Sequence, residues 1–192
     1  SFQPQAPAQP KMVAGVWWTQ AQEALDAVDK EAAYTQALRA LELAREGGDP
    51  SQAGEILRRA LEVFGDRAAI QLAAGEYWMS RNQPREAQAA LLKAQALDSD
   101  NPLVLLNLAR ASATLEEYDT AVVSLRKLVQ LEPGNPDALW ELAETYGDKL
   151  GMAGKGTAAY RDFERQFPAD SRAAQVAGRI QALEATAAAP AP

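Results

Sequence analysis

Gly151–Thr157, GMAGKGT, is the stretch of this 192-residue chain whose residue types come nearest to a catalytic motif. Glycines beside a lysine can cradle a phosphate, because backbone N–H groups and an ammonium converge on the anion. The spacing fails that requirement. A phosphate loop needs glycine where Lys149 stands and Ser or Thr where Gly156 follows Lys155, and no β-strand pattern precedes the segment. Nucleotide binding is therefore not expected. Histidine and cysteine are both absent, which removes the commonest general base and the commonest zinc ligands. Carboxylates such as Glu116 and Glu117 read as turn and solvent residues, and no convergent acid–base set emerges. The expectation is a chain that is not an enzyme, with no metal and no cofactor.

Bulk composition narrows the partners. Acids outnumber bases 26 to 19, for a formal charge of −7, which argues against a nucleic-acid backbone or an anionic membrane as the main partner. No run approaches the roughly 18 apolar residues that a membrane span needs. Without cysteine there is no disulfide framework, and redox chemistry does not assign a compartment. The chain opens with Ser rather than Met and reads as a processed form, with any signal or anchor upstream.

The elements that must position any site come from a repeat. Shifted by 34 residues, the sequence returns to itself: Ala53, Ala87, Ala121; Leu57, Leu91, Leu125; Arg59, Lys93, Lys127. Asn101-Pro102 recurs as Asn135-Pro136, and Leu108-Ala109 as Leu142-Ala143. Alanine is abundant, β-branched residues are sparse and nothing alternates with period two, so the fold is expected to be all-α. A period of this length built from two amphipathic halves predicts a helical solenoid.

Repeats are expected at 34–67, 68–101, 102–135 and 136–168. The first stops its opening helix at Gly47-Gly48 and restarts at Asp49-Pro50. Its second helix turns Ala53, Ile56, Leu57, Ala60 and Val63 inward. The next repeat packs through Leu72, Ala74-Gly75 and Trp78, then Ala87, Leu91, Ala94 and Leu97. The last carries one inserted residue, has Gly156 where Ala is expected, and holds four glycines between Gly147 and Gly156, which predicts a looser turn. Before the array, residues 1–14 read as a flexible Pro/Ala/Gln-rich tether, leaving 15–184 as the repeat domain. A first helix is expected from Thr19, capped by its hydroxyl, with Ala21, Ala24, Leu25 and Val28 on its apolar face. After the array, an end helix over 170–184 puts Ala174, Ile180 and Leu183 on one side and Arg172 and Arg179 on the other, followed by a disordered tail, 185–192.

Leu105, Leu108-Ala109, Ser112, Ala121, Leu125, Leu128 and Pro133 resemble the pattern of the tetratricopeptide repeat (TPR) family. The resemblance implies a right-handed superhelical solenoid of antiparallel helix pairs, about four repeats with N-terminal and C-terminal capping helices. It also implies that the first helix of each repeat lines a concave groove. Carried over position by position, Leu72, Glu76 and Met79 would line it from one repeat, and Leu103, Leu106, Asn107 and Arg110 from the next. Asp137, Trp140, Glu141 and Glu144 would follow from the last. That groove has an apolar floor (Leu72, Met79, Leu103, Leu106, Trp140), an acidic wall (Asp137, Glu141, Glu144) and two polar handles, Asn107 and Arg110. It suits an apolar peptide or helix of a partner protein, with some positive charge.

One branch of the family grips chaperone tails with Lys, Asn, Asn, Lys and Arg. The corresponding positions here are Leu72, Glu76, Asn107, Asp137 and Glu141. Only Asn107 agrees, so that ligand class is not expected. Trp78, Tyr146 and Tyr160 fall on family core positions, whereas Trp140 could be an exposed anchor or a half-buried packing residue. Trp17-Trp18 could seal the end of the first repeat, or contact a partner or a second copy. The alternative function is accordingly a self-assembling structural module that uses the N-terminal helix and the solenoid ends. A bacterial envelope or periplasmic accessory protein suits the tether, the missing cysteine and the array, with a cytoplasmic adaptor as the alternative.

Overall fold

The computed structural model describes residues 10–26, 29–46 and 50–188, and their regular structure is helical throughout, with no strand among them. The chain divides into two compact units, Ser1–Asp98 and Ser99–Pro192.

The first unit holds α1 (Pro10–Asp26), α2 (Lys30–Glu46), α3 (Pro50–Phe64), α4 (Ala68–Ser80) and α5 (Pro84–Leu97). Successive helices pack side by side, and α2 also touches α4. Its core is built mainly from small and aliphatic side chains: Ala37, Ala53, Ile56, Leu57, Ala60, Ile70 and Ala74 are buried together with Phe64. Alanine at the contacts lets the helix axes approach closely, which a larger side chain would prevent. Ala87, Leu91 and Ala94 of α5 are likewise buried. Two expected core residues are not. Val63 and Leu97, each in the last turn of its helix, are 45% and 49% exposed, and Phe64 is buried beside Val63. Trp18 is buried in the cluster of the first unit and half-buried Trp17 packs against it.

Helix α1 begins at Pro10, nine residues before the expected start. Thr19 is not its cap; its Oγ1 donates to the Gly15 carbonyl at 3.1 Å, one turn back within the helix. The stop signal Gly47-Gly48, Asp49 and Val28 lie outside the described residues, as do 1–9 of the expected tether and 189–192 of the expected tail.

The second unit holds α6 (Pro102–Thr114), α7 (Tyr118–Leu131), α8 (Pro136–Glu144), a π-helical turn (Thr145–Lys149), α9 (Ala153–Gln166), a 3-10 turn (Ala173–Gln175) and α10 (Val176–Ala188). The recurring Asn-Pro pair starts two of these helices in the same way. Asn101 Oδ1 accepts from the Leu103 and Val104 N–H groups at 3.1 and 3.3 Å, and Asn135 Oδ1 accepts from Ala138 N–H at 3.0 Å. The following proline loses nothing by lacking an N–H in the first turn. The periodic base Lys127 has a structural partner: its Nζ donates to the Ser99 carbonyl at 2.6 Å and pairs with Asp100 at 2.7 Å, tying α7 to the turn before α6.

The inserted residue of the last repeat is absorbed as the π-helical turn, where Leu150 N–H donates to the Thr145 carbonyl five residues back. Two of the glycines around it are packed rather than loose. A β-carbon on Gly156 would lie 2.6 Å from Gly147 Cα, and one on Gly147 would lie 2.7 Å from Leu183 Cδ1. Gly151, at φ +63°, is the one that makes a left-handed turn.

Candidate functional site

Asp137, Glu141, Glu144 and Asp148 recur at helical spacing along α8 and the π-helical turn, so they form one acidic stripe. Arginines meet it from two sides. From α6, Arg110 Nε donates to Glu141 Oε1 at 2.7 Å, with Asp137 at 4.0 Å from its Nη2. From the C-terminal segment, Arg172 Nη1 lies 2.9 Å from Asp137 Oδ1. Arg179 Nη1 donates to Asp148 at 2.8 Å, and its Nη2 donates to Glu144 at 3.2 Å. Tyr160 also directs its hydroxyl to Asp148, at 3.4 Å.

Charge and burial oppose each other at Glu141, whereas at Tyr160 burial and the Asp148 charge act together. Burial raises the Glu141 carboxyl above its ordinary value, against the lowering pull of Arg110. Asp170 receives the guanidinium and the backbone N–H of Arg172, which hold it at about 2. Tyr160 is raised, first by burial and then by the Asp148 charge.

Trp140 is not an exposed anchor. Only 6% of it is accessible, with Tyr160 and Phe163 of α9 edge-on at 5.2 and 5.0 Å between centroids. The Arg172 and Arg179 guanidiniums stand 5.6 and 5.8 Å from its ring centre, a distance at which a cation is attracted to the π face. The C-terminal segment covers the ring that the repeat pattern alone would leave open. Tyr160 is buried as expected for a core position, and Trp78 and Tyr146 are half-buried and packed on their clusters.

The remaining groove residues fall into two sets. In the first unit, Leu72, Glu76 and Met79 are half-buried along α4. In the second, Leu103 is 57% exposed on α6, Leu106 and Asn107 are half-buried, and Arg110 is exposed. Asn107 Nδ2 donates to the Leu103 carbonyl at 2.9 Å, which fixes the amide against its own helix. Leu103, Asn107 and Arg110 therefore run along one stripe of α6, beside the acidic stripe of α8.

Arg172 and Arg179 belong to this constellation and were not among the expected contacts. A signal was present: the arginines are seven residues apart, as are Asp137 and Glu144. They do not simply face solvent on the far side of the end helix. Val176, not Ala174, joins Leu183 as its buried residue.

Among the described residues no helix is long and apolar enough to cross a membrane. No curated protein matches the sequence. Residues 103–135 match the tetratricopeptide repeat family. Among solved structures, MamA is similar at a TM-score of 0.70 and 23% identity, over 77% of this chain and 84% of that one. YrrB, described as a TPR protein with an unusual peptide-binding site, is similar at 0.69 and 19%, over 78% and 77%. PilW, a type IV pilus biogenesis factor, is similar at 0.61 and 22%, over 91% of both chains. Residues 103–135 thus match a tetratricopeptide repeat, and the chain has the all-α fold of tetratricopeptide-repeat proteins.

Proposed function

We propose that the chain is a non-enzymatic interaction scaffold that holds a peptide or helix of a partner protein on the α6/α8 face of its second unit. The exposure of Leu103, at 57%, carries the proposal: a large aliphatic side chain stands in water in line with Asn107 and Arg110. A partner's apolar side chain would remove it from water, while the half-buried Asn107 and the Arg110–Glu141 pair fix orientation. The face is preformed by helix packing, so little ordering cost falls on the scaffold. YrrB, of the same fold, is described by its peptide-binding site, which is the ligand class proposed here.

The partner is apolar with modest positive charge. Asp137, Glu141, Glu144 and Asp148 outnumber the arginines that reach them from α6 and the C-terminal segment. Trp140 is a packing residue, so its replacement would test stability rather than binding.

Peptides selected from a displayed library on the immobilised chain supply the probe. Titration of one such peptide against Leu103→Asp should show affinity reduced about tenfold or more, with helicity unchanged. Equal affinity for the variant and the natural chain would remove the α6/α8 face from the binding surface.

A further inference from the structure

The C-terminal segment covers a face of α8, and its contacts specify what that face accepts. Arg172 and Arg179 are seven residues apart, and each is followed four residues later by an aliphatic side chain, Val176 and Leu183. The surface beneath has the same interval. Arg172 pairs with Asp137, and Arg179 with Glu144 and with Asp148 of the π-helical turn. Both guanidiniums flank the Trp140 ring. Val176 is buried in the α8–α9 cluster, and Leu183 fits against Gly147 and Gly156, where any β-carbon would fill its place. Acid pairs, an indole and a notch cut by two glycines make a composite receptor for a helix face.

The present occupant is held by few buried side chains, with Ile180 half-buried beside them. Val176 and Leu183 are the buried residues of α10, while Ala177, Gly178, Gln181, Ala182 and Glu184 are exposed. The ion-paired side chains retain between 25% and 49% exposure, so water and salt screen them. A helix held this way opens at lower cost than the core beneath it.

We propose that this face of α8 and the π-helical turn is a second docking site, for an amphipathic helix of a partner protein with two arginines seven residues apart, each followed by an aliphatic residue four positions on. The chain's own C-terminal segment is its resident occupant, and the partner helix displaces it. The site shares the Asp137, Glu144 and Asp148 carboxylates with the α6/α8 face but not the Leu103–Asn107 stripe of α6. Tethering gives the resident segment an effective concentration of about millimolar, so occupancy by a partner demands a better helix or a loosened resident.

The test uses the full chain and a fluorescein-labelled synthetic peptide of residues 169–188, followed by anisotropy in low salt. Arg172→Ala/Arg179→Ala in the full chain loosens the resident, and should raise affinity for the peptide about tenfold or more over the natural chain. A peptide with both arginines replaced by alanine should not bind, and Leu103→Asp should leave the titration unchanged. A double variant that keeps its helicity and binds no better than the natural chain overturns the proposal, and leaves the α6/α8 function standing. If that variant unfolds, hydrogen exchange on the natural chain decides. Excess peptide should speed exchange in α10 while α8 and α9 keep their protection; unchanged α10 exchange overturns the proposal equally.

Discussion

Gly147 and Gly156 stand so close that neither can carry a β-carbon without moving backbone or Leu183. Gly156→Ala should therefore destabilise the fold by about 1–3 kcal/mol, through overpacking. Gly154, on the same helix with nothing within 4 Å of its would-be β-carbon, is the control. Gly154→Ala should be neutral or stabilising by about 0.5–1 kcal/mol, since alanine favours the helix. Thermal melts of the two variants check both values. Glu141 gives a pH signature. Its folded value lies above the ordinary 4.5, so the folded chain keeps a proton that the unfolded chain has released. Its contribution to stability therefore falls as pH rises from about 4.5 through the raised folded value. Glu141→Gln should remove that slope: from pH 4 to 7, melting temperatures should fall further, or rise less, in the natural chain than in the variant. Asp170 has the opposite sign, contributing above its ordinary 3.8 and losing the contribution as pH falls through about 2. The substitution of Gly156 for alanine was visible in the sequence, but its reason was not, because Gly147 and Leu183 approach it from other elements.

Helices α6 and α8 each start on an asparagine whose carboxamide accepts from the first turn. Asn101→Ala and Asn135→Ala should each cost about 0.5–2 kcal/mol, read as a lowered urea midpoint with an unchanged slope. These starts were legible because the Asn-Pro pair recurs at the repeat interval. The α1 start was not: Thr19 has the chemistry of a cap, yet a threonine hydroxyl serves equally well bonded one turn back inside a helix. The insertion in the last repeat was also legible, as a count. That it becomes a π-helical turn follows from packing, which holds both flanks of the repeat in place and leaves the extra residue to widen one turn.

Across the whole chain, the repeat and the all-α class were readable because a 34-residue period records which faces are buried against neighbours. The proposed binding face was only partly readable. Repeat position puts Leu103 and Asn107 on α6, where they are accessible, but it is silent on a side chain arriving from elsewhere in the sequence. Arg172 and Arg179 come from beyond the last repeat to cover Trp140 and offset the acidic stripe. A partner drawn by the remaining carboxylates of a chain with net charge −7 should bind less tightly as salt rises, because the exposed pairs are screened. The most direct test of the scaffold places a photoreactive side chain at one of two exposed positions, Leu103 on α6 or Val123 on α7, which is 67% exposed, and illuminates each with a library-selected peptide bound. Cross-linking from position 103 with position 123 silent is the predicted result; cross-linking from position 123 with position 103 silent would contradict it.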